Sequence, residues 1–245
     1  CTSALRRMPG LRASCQRICR GWRIRSTAGL AMTYSVKEIY YTLQGEGAQT
    51  GRPAVFLRFT GCNLWSGREA HRQESVCRFC DTDFVGTDGP GGGKFETPEA
   101  LADATRRAWP GDSKEQRPYV VCTGGEPLLQ LDSPLINALH EVGFEIGVES
   151  NGTLPAPAGI DWLCISPKGR AGIVQTSGDE LKLVFPQVEP EAQPALFSAM
   201  NFEHFFLQPH DCPERDVHTQ SVIEYCLSNP QWKLSLQSHK LIGIA

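Results

Sequence analysis

Three of the ten cysteines of this chain lie close together in the stretch GCNLWSGREAHRQESVCRFCDTDF, residues 61–84. Cys62, Cys77 and Cys80 fall within nineteen residues of one another, and no fourth cysteine follows at metal-site spacing. A structural zinc site requires four ligands, and His71 inside the loop could complete a set of three thiolates and one imidazole. An iron–sulfur cluster held by three thiolates instead leaves one iron open to a ligand that is not protein. The spacing alone is compatible with both metals.

A second stretch that could take part in the same chemistry is TGGEP, Thr123–Pro127, which follows the apolar run YVVC. Two glycines at the end of a strand allow the backbone to approach a ligand, and Glu126 offers an acceptor for an ammonium group. By itself the segment indicates a turn. Together with the cysteine loop it resembles the radical S-adenosylmethionine superfamily, whose members usually space the cysteines as Cys-x3-Cys-x2-Cys. The spacing here, Cys-x14-Cys-x2-Cys, indicates an insertion into that loop.

The other motifs resemble one family of that superfamily, 7-carboxy-7-deazaguanine synthase, over residues 34–245. They are YTLQGEGAQTGRPAVFLRFTGCNLW (41–65), CDTDF (80–84), TGGEP (123–127), ESNG (149–152), SPK (166–168), LQP (207–209) and QSHKLIGIA (237–245). Variant cluster loops occur in this family. The resemblance implies a lyase that converts 6-carboxy-5,6,7,8-tetrahydropterin to 7-carboxy-7-deazaguanine with loss of ammonia, in 7-deazapurine and queuosine biosynthesis.

The resemblance also implies the cofactors and the residues that hold them. A [4Fe–4S] cluster would bind Cys62, Cys77 and Cys80. S-adenosylmethionine would contact Phe79, Asp81, Gly125, Glu126, Ser150, Ser166, Pro167, Lys168, Leu207, Gln208 and Pro209. The pterin would contact Leu43, Gln44, Gly45, Glu46, Arg58, Thr123, His239 and Ala245. No further catalytic side chain is expected, because the cofactors carry the radical chemistry and the protein positions and shields them.

Several of these assignments have simpler alternatives. Arg58 could form a bidentate ion pair with the carboxylate of the pterin, or a surface salt bridge. Gln44 and Glu46 in LQGEG offer acceptors for the amino and ring N–H groups of the pterin, or belong to a hairpin turn. SPK and LQP could be ordinary strand ends. His239 and Ala245 match a C-terminal tail that closes over the substrate in relatives.

Thr82, two residues beyond the last cysteine of the loop, is predicted to bind Mg²⁺. Magnesium keeps several waters and is often held by one protein oxygen together with oxygens of the substrate. A carboxylated pterin provides such oxygens, so one hydroxyl could anchor the metal. The simpler alternative is a hydroxyl that hydrogen-bonds the turn, with Asp81 and Asp83 as the ligands of a protein-only cation site.

Short apolar runs recur along the chain and predict strands, most of them buried on both faces. They are residues 54–59, 119–122, 145–150, 162–166, 181–185, 204–208 and 233–237. Helical patterns cover 97–109, with Thr97 as the N-cap, 133–143, 216–228 and, more weakly, 189–200. Gly and Pro in segments 151–161 and 168–179 favour crossovers without helices. We therefore predict an α/β fold, an incomplete, helix-poor (β/α) partial barrel.

Charge is distributed unevenly along the chain. Residues 1–31 carry seven Arg and no acidic residue, whereas residues 32–245 carry 17 basic and 27 acidic residues, a net charge of −10. The acidic body disfavours a broad nucleic-acid interface. The Arg-rich segment has the composition of a transit peptide or of an overextended translation before Met32, and we expect it to be disordered. We expect residues 32–245 to form a single catalytic domain, because no repeat or linker divides them.

The cysteine content bears on the compartment. Ten irregularly spaced cysteines favour reduced thiols and metal ligands over a disulfide framework, and hence a cytoplasmic location. Cys122, Cys164, Cys212 and Cys226 are expected to pack in the interior. No apolar run approaches the roughly 20 residues that span a bilayer, so no membrane insertion is expected. The resemblance further implies an electron donor such as flavodoxin or ferredoxin, and a homodimer.

Two other functions are open at this point. An activase of the same superfamily, which makes a glycyl radical on a protein, would need a large surface for its partner. A non-catalytic zinc-binding module would need only the cysteine loop, and the motifs TGGEP, SPK and QSHK would then be coincidental.

Overall fold

The computed structural model describes residues 33–111 and 117–244. The predicted extension at 1–31 and Ala245 lie outside the described residues. The described part of the chain forms a nine-stranded sheet with helices between some of the strands. None of the described helices is both long and apolar enough to cross a lipid bilayer.

The sheet has the order β3-β1-β2-β4-β5-β6-β7-β8-β9. The strands are β1 (Tyr34–Leu43), β2 (Pro53–Phe59), β3 (Gly93–Phe95), β4 (Tyr119–Gly124), β5 (Glu145–Ser150), β6 (Trp162–Ile165), β7 (Ser177–Phe185), β8 (Asn201–Pro209) and β9 (Trp232–Leu234). From β2 through β4 to β9 all neighbours are parallel, whereas β1 is antiparallel to β2 and β3. Among the described strands β3 and β9 do not pair with each other, so the sheet is unclosed.

The helices connect only some of the parallel strands. They are α1 (Pro98–Ala108), α2 (Ser133–Glu141), α3 (Pro194–Phe197), α4 (Arg215–Ser228) and α5 (Ser238–Ile242). The connections from β5 to β6 and from β6 to β7 contain no helix, as the Gly and Pro content of 151–161 and 168–179 predicts. The predicted α/β fold, an incomplete and helix-poor (β/α) partial barrel, is confirmed.

Alternation along the strands gives the sheet one apolar face and one face that lines a cavity. On β2, Val55, Leu57 and Phe59 are buried in the main hydrophobic core, to which α1 and α2 also contribute. Phe56 and Arg58, which point the other way, line the cavity. The apolar core therefore lies between sheet and helices, and the opposite face is left for polar side chains.

Most element boundaries follow the sequence pattern, and four regions differ from it. The pattern for 189–200 predicts one weak helix, but prolines break it into a 3₁₀ turn at Pro190–Ala192 and the single-turn α3. The strand predicted at 233–237 ends earlier, because β9 stops at Leu234. The short β3 and α5 carry too few residues for a periodic signal.

Side chains cap the N-termini of two helices, and one of these side chains also contacts the sheet. Thr97 is the N-cap of α1, as predicted, and its hydroxyl accepts a hydrogen bond from the Ala100 N–H at 3.1 Å. Asp132 caps α2 by accepting from the Leu135 N–H at 3.0 Å. The same carboxylate oxygen of Asp132 accepts from the hydroxyl of Tyr34 on β1 at 2.8 Å. Asp132 thus caps the N-terminus of α2 and also links this helix to the sheet.

Replacing Asp132 with Ala is expected to lower the free energy of unfolding by about 1–3 kcal/mol, because a cap and a buried hydroxyl partner are lost together. The matched variant Thr97→Ala loses only a cap, so its expected cost is about 1 kcal/mol. Urea unfolding followed by circular dichroism measures both. Equal losses in the two variants would show that the contact to Tyr34 contributes nothing.

Candidate active site

A cavity of about 390 Å³ lies on the inner face of the sheet and at the carboxyl ends of the parallel strands. Loops that follow neighbouring parallel strands meet at the same edge of a sheet, which is where ligands of open α/β sheets usually bind. Cys62 follows β2, Gly125 follows β4, Asn151 follows β5 and His210 follows β8, and all four line the cavity.

The three cysteines of the 61–84 stretch line this cavity together. All three thiols are free, and Cys77 is buried while Cys62 and Cys80 are partly exposed. A hydrogen bond between the thiols of Cys77 and Cys80 raises the pKa of Cys77 and lowers that of Cys80. The structure therefore brings the three predicted ligands to one wall.

The spread of the three sulfur atoms bears on which metal they suit. Ligand atoms of a tetrahedral zinc ion bound by thiolates lie about 3.8 Å apart, given a Zn–S distance of about 2.3 Å. Within the described residues, the three loop cysteines do not form a set whose ligand atoms all lie within 4.8 Å of one another. The three sulfur atoms therefore do not form a ready-made site for a single ion, whereas a cluster of several irons takes one thiolate at each of three corners.

His71, which could have completed a zinc site, lies away from the cavity. It is exposed on the 3₁₀ turn Glu69–Glu74, and its Nδ1 is 2.8 Å from the hydroxyl of Ser66. Because His71 does not line the cavity with the three thiols, the set of three cysteines and His71 is not assembled.

Arg72 organises the insertion between the first two cysteines. Its Nη1 donates to the carbonyl oxygens of Arg78 at 2.9 Å and Cys80 at 3.0 Å, and its Nε donates to Glu69 at 2.8 Å. The guanidinium also stacks on Trp65, 4.2 Å from the ring centroid. A planar fork of donors can hold two carbonyl groups at once, so Arg72 fixes the backbone on both sides of Phe79.

The GGEP segment touches the cysteine loop through its backbone. A Cβ atom on Gly125 would lie 2.0 Å from the carbonyl oxygen of Gly61, so only glycine allows the two loops to approach this closely. The Glu126 N–H donates to the same Gly61 oxygen at 2.9 Å. The predicted close approach of the backbone is therefore used, at least in part, to join the two loops.

Glu126 is buried behind the cavity wall and does not line it. Its carboxylate accepts from the hydroxyl of Ser150 and from the N–H groups of Leu128 and Asn151, at 2.8–3.0 Å. Burial raises the pKa of Glu126, and these hydrogen bonds oppose the rise. Glu126 thus orients Ser150 and Asn151, which do line the cavity.

Most of the other residues predicted to hold S-adenosylmethionine are brought together in the cavity. Those that line it are Phe79, Asp81, Gly125, Ser150, Ser166, Lys168, Gln208 and Pro209. Pro167 and Leu207 do not line it: Pro167 is buried, and the side chain of Leu207 belongs to the apolar core on the other face of the sheet. Lys168 turns back to donate to the hydroxyl of Ser166.

The residues predicted to contact the pterin line the same cavity. They are Leu43, Gln44, Gly45, Glu46, Arg58, Thr123 and His239. Arg58 is only 17% exposed and donates to Glu38 and to the hydroxyl of Tyr40, both at 2.8 Å. The ion pair of Arg58 is therefore a feature of the cavity wall and not a surface salt bridge.

The floor of the cavity holds a buried cation that the sequence pattern did not single out. Lys182 on β7 has its Nζ 2.7 Å from Glu46 and 3.0 Å from Glu149. Burial lowers the pKa of Lys182, but the two carboxylates outweigh burial and raise it well above its ordinary value. Burial by itself would raise the pKa of Glu46. The charge and the hydrogen bond of Lys182 have the larger effect, so the pKa of Glu46 falls to about 2. Lys182 and Glu46 therefore form a charged pair on the cavity floor. The sequence does contain one sign of this buried cation, which is a lysine within the apolar run LKLVF.

The C-terminal segment covers one side of the cavity. The Ser238 N–H and hydroxyl both donate to the Gly45 carbonyl at 2.9 Å, and the Gln237 amide donates to Glu46 at 3.0 Å. Lys240 pairs with Asp81, beside Cys80, and with Asp211, beside His210. Burial by itself raises the pKa of Asp81, but the hydrogen bond and the charge of Lys240 have the larger effect. The pKa of Asp81 is therefore lowered. The tail is therefore attached to three parts of the cavity rim.

Thr82 lines the cavity between two aspartates that already have cationic partners. Asp81 pairs with Lys240, and Asp83 pairs with Lys37 at 2.9 Å. The hydroxyl of Thr82 has no hydrogen-bond partner among the described residues, so it does not stabilise the turn in the way the simpler alternative requires.

The remaining described cysteines lie in two kinds of surroundings. Cys122 is fully buried in the apolar core, Cys164 is buried against Glu180, and Cys226 packs at the edge of the core, as expected. The expectation is wrong for Cys212, which is partly exposed in the loop between β8 and α4, where it contacts Glu214 and His218. Pro213 and the charged residues around it leave no apolar pocket for this thiol.

Comparison with known proteins gives a consistent set of relatives. The chain is 62% identical over 213 residues to the 7-carboxy-7-deazaguanine synthases of Caulobacter vibrioides and Bordetella pertussis, and these matches cover 87% of this chain and 100% of each relative. The crystal structure of QueE from Escherichia coli superposes with a TM-score of 0.62 at 28% identity, covering 84% of this chain and 95% of that one. No family model matches the chain.

We expect the variant Arg72→Met to lose iron to a chelator about tenfold faster or more, because its two carbonyl contacts hold the Cys80 segment. Hydrogen bonds to charged groups contribute about 1.5–3 kcal/mol each, and 1.4 kcal/mol corresponds to tenfold. The measurement is the rate of iron release from reconstituted protein. Arg68→Met is the matched control, since that side chain is exposed on the same loop. Equal rates for both variants and the parent protein would refute a role of Arg72 in positioning the loop.

Proposed function

This chain belongs to the 7-carboxy-7-deazaguanine synthase family, and we propose that it converts 6-carboxy-5,6,7,8-tetrahydropterin to 7-carboxy-7-deazaguanine with loss of ammonia. The enzyme is a lyase, and the proposed product feeds 7-deazapurine and queuosine biosynthesis. Identity of 62% over the entire length of two relatives supports the assignment. From the geometry, the observation that carries it is one cavity that joins three loop thiols to a floor of paired charges. The product equals the substrate minus ammonia, so no net oxidant is required.

We infer that Cys62, Cys77 and Cys80 hold a [4Fe–4S] cluster and that S-adenosylmethionine completes its open position. Three free thiols on one wall, which are not all close enough together to bind one small ion, are a donor set that fits this group. Reductive cleavage of S-adenosylmethionine, followed by hydrogen abstraction from the pterin, is the chemistry that these cofactors supply when bound.

The polar residues beyond the loop would bind the rest of S-adenosylmethionine. Ser150 and Asn151, held by the buried Glu126, present a hydroxyl and an amide to the cavity. Phe79 lies between the second and third cysteines and offers an aromatic face for the adenine. In this arrangement Glu126 acts on the methionyl amine of S-adenosylmethionine through Ser150 and Asn151, because three donors already surround its carboxylate.

The charged floor suits the pterin and its carboxylate. Gln44, Glu46 and Glu149 carry acceptors for the amino and ring N–H groups, and Lys182 pairs with both carboxylates inside the cavity. Arg58, oriented by Glu38 and Tyr40, provides a guanidinium for the substrate carboxylate. Attachment of the C-terminal segment over Gly45 shields these contacts from water.

The two alternative functions fit the molecule less well. A cavity of about 390 Å³, covered on one side by the C-terminal segment, has the size of a small-molecule site, whereas an activase would have to bind a protein segment there. A zinc-binding module would not require the charge-paired floor, and His71 is not placed to complete its ligand set.

Further parts of the proposal concern the whole protein. Residues 32–245 would form the catalytic domain, which matches the 213 residues shared with complete relatives. A cytoplasmic location agrees with the seven free thiols among the described residues. The flavodoxin- or ferredoxin-type electron donor, the homodimer and the absence of nucleic-acid binding remain predictions from the resemblance and the charge.

The proposed function is tested with anaerobically reconstituted protein. Replacing Cys62, Cys77 or Cys80 singly with Ala is expected to abolish iron binding, S-adenosylmethionine cleavage and product formation, because each thiolate holds one iron. Cys122→Ala is the control: it removes a thiol that is buried in the core, and it should keep all three. A protein that contains zinc and no iron, or iron-loaded protein that forms no 7-carboxy-7-deazaguanine from the pterin, would refute the proposal.

We also propose that the Thr82 hydroxyl binds Mg²⁺ together with oxygens of the substrate. Its support is a cavity-facing hydroxyl without a described partner, next to two aspartates that are held by lysines. Thr82→Ala is expected to keep the cluster and S-adenosylmethionine binding but to lose most of the stimulation of turnover by Mg²⁺. Thr82→Ser, which retains the hydroxyl, is the matched control. Unchanged magnesium dependence in Thr82→Ala would transfer the assignment to Asp81 and Asp83.

A further inference from the structure

Two histidines and a cysteine lie together in the β8–α4 loop and the first turn of α4, and the proposed reaction does not use them as a group. His210, Cys212 and His218 are all partly buried, and one ligand atom from each lies within 4.8 Å of the others. Among the described residues, this is the set of three potential metal ligands whose ligand atoms all lie this close to one another. Its spacing, His-x-Cys-x5-His, places two ligands in a loop and the third on a helix.

The distances in the cluster are close to those around a tetrahedral ion. The Cys212 sulfur is 3.4 Å from Nδ1 of His218, and the two imidazole rings are parallel within 6°, with centroids 5.6 Å apart. A zinc ion bound at about 2.3 Å by sulfur and about 2.05 Å by nitrogen holds such a pair of atoms about 3.6 Å apart. Only small side-chain adjustments are therefore needed to admit an ion.

The ligand types select among metals. One thiolate and two imidazoles are borderline-soft donors, which suit Zn²⁺ and exclude a preference for Mg²⁺ or Ca²⁺. The carboxylate of Glu214, 3.2 Å from the Cys212 sulfur, is a group that could complete four-coordination.

The alternative explanation is a hydrogen-bonded cluster without a metal. In that arrangement Nδ1 of His218 contacts both the Cys212 sulfur at 3.4 Å and the His210 carbonyl oxygen at 3.3 Å. The carbonyl contact is long for an N–H···O hydrogen bond, and neither contact involves an imidazole nitrogen of His210. These hydrogen bonds therefore do not account for the position of the His210 ring.

We propose that His210, Cys212 and His218 form a second metal site, which binds Zn²⁺ and is separate from the three-cysteine loop. The site adjoins the cavity, because His210 lines it and meets the ring of Phe79 edge-on at 5.4 Å. Asp211, between two of the ligands, pairs with Lys240 of the C-terminal segment. Bound zinc would thus fix the loop on which Phe79 and the C-terminal segment rest.

The first test measures zinc and iron together in the full chain, after cluster reconstitution, zinc addition and removal of loosely bound metal. We expect one zinc per chain beyond the iron, and loss of that zinc in Cys212→Ser and in His218→Ala with iron unchanged. Cys226→Ser, which removes a thiol elsewhere on α4, is the control and should retain the zinc. A parent protein without zinc, or variants that keep it, would overturn the proposal.

The second test does not depend on the folding of a variant. X-ray absorption at the zinc edge of the parent protein should show one sulfur at about 2.3 Å and nitrogen or oxygen ligands at about 2.0–2.1 Å. Three sulfur ligands would place the zinc in the loop of Cys62, Cys77 and Cys80, and no sulfur would place it at neither site. Either result contradicts the assignment. Because zinc binding is read independently of product formation, failure of this proposal and failure of the proposed reaction are distinguishable.

Discussion

A buried cation on the inner face of the sheet is the constraint around which the cavity is built. Lys182 on β7 is 5% exposed, and its charge is paired with Glu46, from the loop after β1, and with Glu149 on β5. Removing one partner from a buried ion pair costs about 3–5 kcal/mol, because the other charge stays unpaired. Glu46 also accepts from the amides of Gln208 and Gln237, so the same carboxylate connects β8 and the C-terminal segment.

The charged inner face explains why the apolar core lies on one side of the sheet. Buried polar groups require partners, and the inner face supplies them from strand to strand. Helices α1, α2 and α4 therefore cover the outer face, where β2, β4 and β5 present their aliphatic side chains. The connections into β6 and β7 contain no helix, and the sheet is unclosed because its edge strands β3 and β9 do not pair with each other among the described strands.

Much of this architecture could be read from residue order. Apolar runs located most strands, and Gly and Pro content identified the two crossovers without helices, because both signals act over a few neighbouring residues. Quoted motifs such as the cysteine loop and TGGEP also pointed to one site, since loops after parallel strands converge at one edge. Of the twenty-three predicted site residues, nineteen line the cavity, including Thr82 and the three cysteines. Glu126, Pro167 and Leu207 do not line it, and Ala245 lies outside the described residues.

Tertiary structure alone decided the contacts between residues distant in sequence. Glu126 lies in a conspicuous motif yet is buried behind Ser150, because the tight contact between Gly125 and Gly61 turns its side chain inward. The partners of Lys182 and the meeting of Cys212 with His218 likewise depend on packing. Sequence determined which residues could bind a metal or a charge, since that is a property of each side chain. Distance, burial and competing hydrogen bonds decided which of them do, and these arise only when the strands are assembled.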